Sequence, residues 1–124
     1  MNRQNALENL IQLKLPTEQA VSALAQFEWD SEIELVSLEA AQIQNVLLLF
    51  KQGVVSAAEV EAWANAIEGR DDIKIPSSLV SEALHELANP LLTQLLTIER
   101  VNFWLSQVSL ANPSFKRDTL KRAP

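Results

Sequence analysis

The most constraining feature of this 124-residue chain is a series of apolar stretches with helical spacing, each bounded by residues that start or stop helices. The clearest stretch begins at Ser56-x-x-Glu59, a capping box in which each side chain accepts the other residue's backbone amide. The apolar residues behind it repeat at helical spacing: Val60, Trp63, Ala64 and Ile67. Gly69 then stands where a left-handed C-terminal residue is favoured, so the pattern predicts a helix between Ser56 and Gly69.

Five further stretches of this kind divide the rest of the chain. They are residues 3–13 before Pro16, a short helix capped by Thr17 that ends around residues 28–30, a long helix from Ser31-x-x-Glu34 to Gly53, one from Ser77 or Ser78 to Asn89, and one from Leu92 or Thr93 to Asn112. Leu48 and Leu49 widen the apolar surface of the long third helix, so we expect most neighbours to pack on it. The sequence therefore predicts an all-α fold, a single-domain bundle of five to six helices over residues 1–110, followed by a basic, flexible tail at residues 111–124.

One short segment departs from the helical pattern. Ile73-Lys74-Ile75 alternates in the way a β-strand does, and Pro76 ends it. A single three-residue strand needs a partner, and no second strand is visible in the sequence. We therefore interpret this segment as an extended loop.

Composition excludes several classes of protein. Hydrophobic residues make up 48% of the chain, which favours a folded globular domain over a disordered one. There is no cysteine, so neither a disulfide nor a thiolate metal site is available, and we expect a cytoplasmic protein. The longest unbroken apolar run, Val46 to Phe50, is far shorter than the roughly 20 residues that span a bilayer, and we expect no membrane partner.

Residues that could support catalysis or metal binding are few. His85 is the only histidine, and Glu82-x-x-His85 has the spacing of helical carboxylate-bridged metal sites. Such sites use a second Glu-x-x-His element, which this chain lacks, and its two glycines form no phosphate-binding loop. No nucleophile motif surrounds any serine. We predict a protein that is not an enzyme and that has no metal site and no cofactor.

Charge is the most informative functional feature. Residues 1–110 hold 15 acidic and 6 basic side chains, a formal charge of −9, whereas the tail has Lys116, Arg117, Lys121 and Arg122 against Asp118, a charge of +3. An acidic body repels phosphates, so we expect no direct binding of nucleic acid. The acids form two groups along the chain: Glu28, Asp30, Glu32, Glu34 and Glu39, then Glu59, Glu61, Glu68, Asp71 and Asp72. They either complement helix N-termini and maintain solubility, or form a surface that attracts a basic protein.

The three tryptophans are expected to differ in role. Trp63 and Trp104 lie on apolar stripes and should be buried in the core. Trp29 stands among acidic residues, where it either closes one end of the bundle or serves as an exposed anchor for a partner. Asp71 and Asp72 are expected in a solvated turn. The residues predicted to bind a partner are therefore Glu28, Trp29, Asp30, Glu32, Glu34, Asp71 and Asp72.

Two segments carry a family resemblance: Val55-Ser-Ala-Ala-Glu-Val-Glu-Ala-Trp-Ala-Asn-Ala-Ile-Glu-Gly-Arg-Asp-Asp-Ile73 and His85-Glu-Leu-Ala-Asn-Pro90. They resemble small bacterial helical proteins that include immunity proteins of contact-dependent growth inhibition and colicin-type toxin systems. The resemblance implies a cytoplasmic inhibitor that neutralises one cognate toxin, commonly a basic nuclease that an acidic surface can cover. The alternative is a self-associating structural or adaptor bundle that uses exposed Leu and Phe residues of the third and sixth helices. The oligomeric state is left open.

Overall fold

A computed structural model of the protein describes residues 2–27 and 33–111, with the side chain of Ala111 excepted. Within these ranges six helices and one pair of short strands follow each other along the chain. They are α1 (Arg3–Ile11), α2 (Thr17–Leu24), β1 (Val36–Ser37), α3 (Ala40–Lys51), α4 (Ala57–Ile67), β2 (Ile73–Lys74), α5 (Ser78–Ala88) and α6 (Ile98–Ala111). The predicted all-α class is confirmed.

The capping signals of α4 and α5 act as the sequence indicates. Ser56 Oγ accepts the amide of Glu59 at 3.1 Å, and Glu59 Oε1 accepts the amide of Ser56 at 3.0 Å. Ser77 Oγ accepts the amide of Val80 at 3.4 Å at the start of α5. Gly69 follows α4 with a φ of +87°, a left-handed conformation that glycine adopts without steric cost. These local rules therefore fix where both helices begin and where α4 ends.

The core contains both tryptophans that the sequence placed there. Trp63 is fully buried, and its Nε1 donates to the carbonyl oxygen of Leu10 at 2.8 Å, which ties α4 to α1. Trp104 of α6 is 6% exposed. We expected α3 to be the central helix, but that position is shared: α3 packs mainly on α6, whereas α4 contacts α1, α2, α3 and α5.

The strand pair corrects two predictions at once. β1 and β2 form a parallel ribbon in which Val36 pairs with Ile73 and Ser37 with Lys74. The predicted start of the third helix at Ser31-x-x-Glu34 is therefore wrong, since residues 34–39 are not helical, while Ser31 itself lies outside the described residues. α3 starts later, where Gln42 Oε1 accepts the amide of Glu39 at 2.7 Å. The interpretation of Ile73-Lys74 as an unpaired loop is wrong for the same reason, because β1 is its partner.

Two other helix starts also differ from the prediction. Pro16, not Thr17, is the N-cap residue of α2, and Thr17 is the first helical residue. α6 starts at Ile98 instead of residue 92 or 93, because the amides of Leu92 and Thr93 turn back to the carbonyl oxygen of Asn89. The loop at residues 89–97 therefore separates α5 from α6 and carries leucines that were expected on a helix.

Candidate protein-binding surface

Asp72 is the residue on which the arrangement around the strand pair depends. Its carboxylate has no exposed surface and lies between two arginines. Oδ2 accepts from Arg3 Nε and Arg70 Nη2, both at 3.0 Å, and Oδ1 accepts from Arg70 Nε at 2.9 Å. Its backbone oxygen accepts the amides of Leu35 at 2.9 Å and Val36 at 3.4 Å. A single aspartate thus connects α1, the turn after α4 and β1.

The charge of Asp72 is therefore satisfied inside the protein. Burial raises the pKa of its carboxyl, but the hydrogen bonds and charges of Arg70 and Arg3 outweigh burial, so that its pKa lies below the ordinary aspartate value. The sequence placed Asp72 in a solvated turn and among the partner-binding residues. That placement is wrong, because a buried carboxylate held by two arginines is not available to another molecule.

Glu34 and Asp71 are brought together by the same strand pairing. Glu34 directly precedes Leu35, and Asp71 directly precedes Asp72. Because the Leu35 amide donates to the Asp72 backbone oxygen, the strand register places the two acids beside each other where the strands begin. Both are exposed. They come from different acidic groups of the sequence, and only the fold makes them neighbours. We call the strand pair with these two exposed acids the acidic ribbon. Lys74, also exposed, is opposite Ser37 at its other end.

Four of the predicted partner-binding residues, Glu28, Trp29, Asp30 and Glu32, lie outside the described residues. They lead along the chain directly into the acidic ribbon, because Glu32 is two residues before Glu34. The basic tail after Ala111 lies outside the described residues as well.

A second ionic contact, partly buried between α5 and α6, has no signal in the sequence. Glu86 Oε1 accepts from Arg100 Nη2 at 2.7 Å, and Glu86 Oε2 accepts from Arg100 Nε at 3.0 Å and from Trp104 Nε1 at 2.8 Å. Burial raises the pKa of the Glu86 carboxyl, but these hydrogen bonds and the Arg100 charge outweigh burial, so that its pKa lies below the ordinary glutamate value. Arg100 also lies 4.4 Å from the ring centroid of Phe103. The contact joins two helices that the sequence treats separately.

The two ionic contacts determine which charged side chains remain exposed at the surface. All three arginines of the described ranges, Arg3, Arg70 and Arg100, are engaged by Asp72 or Glu86. The exposed cations in these ranges are three lysines: Lys14, Lys51 and Lys74. Eight carboxylates of the same ranges are exposed: Glu18, Glu34, Glu39, Glu59, Glu61, Asp71, Glu82 and Glu99. The outward charge is therefore strongly negative even after the internal pairs are removed.

His85 belongs to a surface contact between α5 and the end of α4. Its Nδ1 lies 3.0 Å from Glu68 Oε2, and Asn89 Nδ2 donates to Glu68 Oε1 at 3.2 Å. Glu82, one turn earlier on α5, is exposed. Across residues 2–27 and 33–111, no three histidine, aspartate or glutamate side chains are grouped so that they could hold a metal ion.

An open groove of about 750 Å³ lies between the α1–α2 loop and the α3–α4 loop. Its lining is mainly aliphatic and includes Leu13, Leu15, Leu49, Val54 and Val55, with Lys14, Glu18 and Glu59 as the ionisable members. Such a lining suits an apolar group better than a charged one. The groove is separate from the acidic ribbon, since it includes no residue of β1 or β2.

These features define a helical bundle with a short parallel ribbon, held by a buried Arg–Asp–Arg contact and surrounded by exposed carboxylates. None of the helices in the described ranges has the length and apolar character needed to cross a bilayer. Comparison with models of known protein families gives no match, and neither do comparisons with characterised proteins or with solved structures.

Proposed function

We propose that this protein is a non-enzymatic inhibitor of the immunity or antitoxin type, which binds a basic protein, such as a nuclease toxin, through the acidic ribbon. The observation that supports this proposal is the meeting of Glu34 and Asp71 at the ribbon entrance, with both side chains exposed. An acidic surface attracts a basic partner over distances of about a Debye length and orients it before contact. On a nuclease, the matching basic surface would be the one that binds nucleic acid.

The internal ionic contacts make the ribbon suited to this role. Asp72 holds the guanidinium groups of Arg3 and Arg70 below the ribbon and compensates one of their two charges inside the protein. The same contact fixes the strands to α1, so the two acids are held in place before a partner arrives. Preorganisation of this kind lowers the entropic cost of binding.

The test is charge reversal on the ribbon. Glu34→Lys combined with Asp71→Lys should slow association with the toxin encoded by the neighbouring open reading frame by about tenfold or more at low salt. The difference from the unmodified protein should shrink between about 50 mM and about 300 mM salt, as screening increases. Glu82→Lys combined with Glu99→Lys is the matched control, since it makes the same change of net charge at exposed positions of α5 and α6. Equal effects of the two pairs of substitutions would show that the acidic ribbon is not the binding surface. Failure of the protein to bind the product of the neighbouring open reading frame would contradict the inhibitor function.

The second candidate is a self-associating structural or adaptor bundle. Exposed apolar residues on α3 and α6 favour it: Leu48 of α3, and Phe103 and Leu110 of α6. Phe103 is partly covered by the Arg100 guanidinium, so the exposed apolar surface on these two helices is modest. Loss of self-association on Leu48→Glu or Phe103→Glu would support this candidate, and an unchanged mass would count against it.

A further inference from the structure

The two most exposed of the large apolar side chains in the described residues, together with two further exposed ones, lie on the loop between α5 and α6 and at the start of α6. Leu91 is 91% exposed, Leu92 81%, Leu95 63% and Ile98 50%. These four residues lie within eight consecutive positions, and we call them the leucine patch. Leu96, by contrast, packs against the core, so it anchors the loop while its neighbours face outward. Isolated exposed leucines need no explanation, but four in one short loop form a surface that water disfavours.

Backbone and side-chain hydrogen bonds hold the loop in this conformation. Thr93 Oγ1 donates to the carbonyl oxygens of Asn89 at 2.7 Å and Glu86 at 3.2 Å, which continues the end of α5 into a turn. At the other end, Thr97 Oγ1 accepts the amide of Arg100 at 3.2 Å and caps α6. The leucine patch is thus presented by a loop with both ends anchored, which reduces the ordering cost of burying it against another surface.

The patch is also free of charge in a protein that is otherwise strongly acidic. No ionisable side chain occurs from Leu87 to Ile98, and the polar residues between the leucines are Thr93, Gln94 and Thr97. An apolar centre without charges and with a polar uncharged rim is the composition of a protein–protein interface. An anionic membrane is a poor partner, because Arg100, the basic residue nearest to the patch in the sequence, is engaged by Glu86.

We propose that the leucine patch binds the same patch of a second copy of this chain and forms a symmetric dimer. The four exposed fractions correspond to roughly 500 Å² of apolar surface, near the upper end of the largest apolar patches found on monomeric proteins. A standard interface buries about 800 Å² on each partner, so the patch supplies more than half of that area and its polar rim supplies the remainder. A second copy presents a matching uncharged surface, so that the centre of the contact pairs apolar side chains with apolar side chains, and the nearest exposed carboxylate along the chain, Glu99, lies at its edge.

The geometry of α5 makes this dimer compatible with the acidic ribbon. β2 precedes the first residue of α5 and the leucine patch follows its last, so the two surfaces lie at opposite ends of an 11-residue helix, about 16 Å long. Each dimer therefore carries two accessible ribbons. The inference goes beyond the proposed function, because the dimer forms whether or not the ribbon binds a toxin.

The experiment is a mass measurement by size-exclusion chromatography with light scattering, from about 1 µM to about 1 mM of the full chain. We expect twice the mass of one chain at the upper concentrations. Leu92→Glu combined with Leu95→Glu should yield the mass of one chain, with an apparent dissociation constant at least about 100-fold higher. Leu110→Glu is the control: it makes the same kind of substitution, once instead of twice, at an exposed leucine far along α6, and dimerisation should persist. A milder variant, Leu91→Gln, should weaken the dimer if the double variant fails to fold.

The opposite results would overturn the proposal. A single-chain mass at every concentration excludes the dimer, and equal effects of the patch variants and Leu110→Glu exclude the patch as its interface. Binding of the monomeric chain to phosphatidylcholine vesicles, abolished by Leu92→Glu and Leu95→Glu, would assign the patch to a lipid surface instead. The dependence on salt distinguishes dimerisation from the inhibitor proposal. An uncharged contact between two leucine patches does not weaken as ionic strength rises, whereas association through the acidic ribbon does.

Discussion

Arg3 and Asp72 are 69 positions apart in the chain, yet Arg3 Nε donates to Asp72 Oδ2 at 3.0 Å. The carboxylate is fully buried and also holds Arg70. Removing one member of a buried ionic contact leaves the others without compensation, which costs more than an exposed ion pair contributes. The stability of this protein and its dependence on pH should therefore depend on this contact and on the Glu86 contact between α5 and α6.

Asp72→Asn should lower the free energy of unfolding by about 3 kcal/mol, because it replaces the buried carboxylate that both Arg3 and Arg70 contact with a neutral amide. Asp71→Asn is the matched control at an exposed neighbouring position and should change stability by less than about 0.5 kcal/mol. Urea unfolding followed by circular dichroism measures both. A similar loss for the two variants would mean that Asp72 is not buried.

Acid should destabilise the protein through Asp72 and Glu86. The pKa of each carboxyl is lowered in the folded state, so the unfolded chain binds more protons near the ordinary carboxyl pKa of about 4. This contribution to stability is fully present above that pKa and is lost as the pH falls through the lowered folded values. Urea midpoints between about pH 3 and pH 7 should therefore decrease on acidification, and less steeply in Asp72→Asn than in the unmodified protein. Parallel pH profiles of the two would contradict this assignment.

The two buried indoles should respond differently to replacement by phenylalanine. Trp63→Phe removes the indole donor from the carbonyl oxygen of Leu10, which keeps only backbone amides such as that of Leu13, and we expect a loss of about 3 kcal/mol from the missing hydrogen bond and the smaller ring. Trp104→Phe removes a donor from Glu86, but Arg100 still holds that carboxylate, so a loss of about 1.5 kcal/mol is expected. Thermal and urea unfolding of both variants measure the difference. The reverse order would show that Trp104, not Trp63, is the main structural indole.

Removal of the cap at the start of α4 gives a local test. Ser56→Ala deletes the oxygen that accepts the Glu59 amide and should lower the free energy of unfolding by about 1 kcal/mol. Ser81→Ala changes an exposed serine inside α5 and should be neutral or slightly stabilising, because alanine is the better helix former. Equal unfolding free energies for the two variants would contradict the capping box.

The parallel strand pair can be tested in solution without mutation. The amides of Leu35 and Leu38 donate to the backbone oxygens of Asp72 and Lys74, at 2.9 and 2.8 Å. We expect both amides to exchange slowly with deuterium and the Cα chemical shifts of residues 35–37 to be those of extended chain. Helical chemical shifts at these positions would support the predicted helix that begins at Ser31-x-x-Glu34. They would contradict the strand pairing that places Glu34 beside Asp71.

The strand pair also shows where reading the sequence from local patterns fails. Ile33, Val36 and Ala40 fit a helical period, whereas Val36 and Leu38 fit the period of a strand, and a short apolar segment does not distinguish the two. Interpreting residues 33–39 as helix removed the partner of Ile73-Lys74, so one misassigned segment produced two errors. Asp72 was then expected in a solvated turn, and no local pattern indicated that Arg3 and Arg70 hold it.

The sequence by itself determined the features that depend on neighbours within one or two turns of helix: the helical class, the caps at Ser56 and Ser77, the stop at Gly69, the burial of Trp63 and Trp104, and the excess of acid. Capping and apolar periodicity are local, so they can be read from short windows. The tertiary structure alone decided which distant residues meet. It buried Asp72, joined Glu34 to Asp71 and turned the leucine patch outward, because the free energy of these contacts depends on packing between elements that are far apart in the chain.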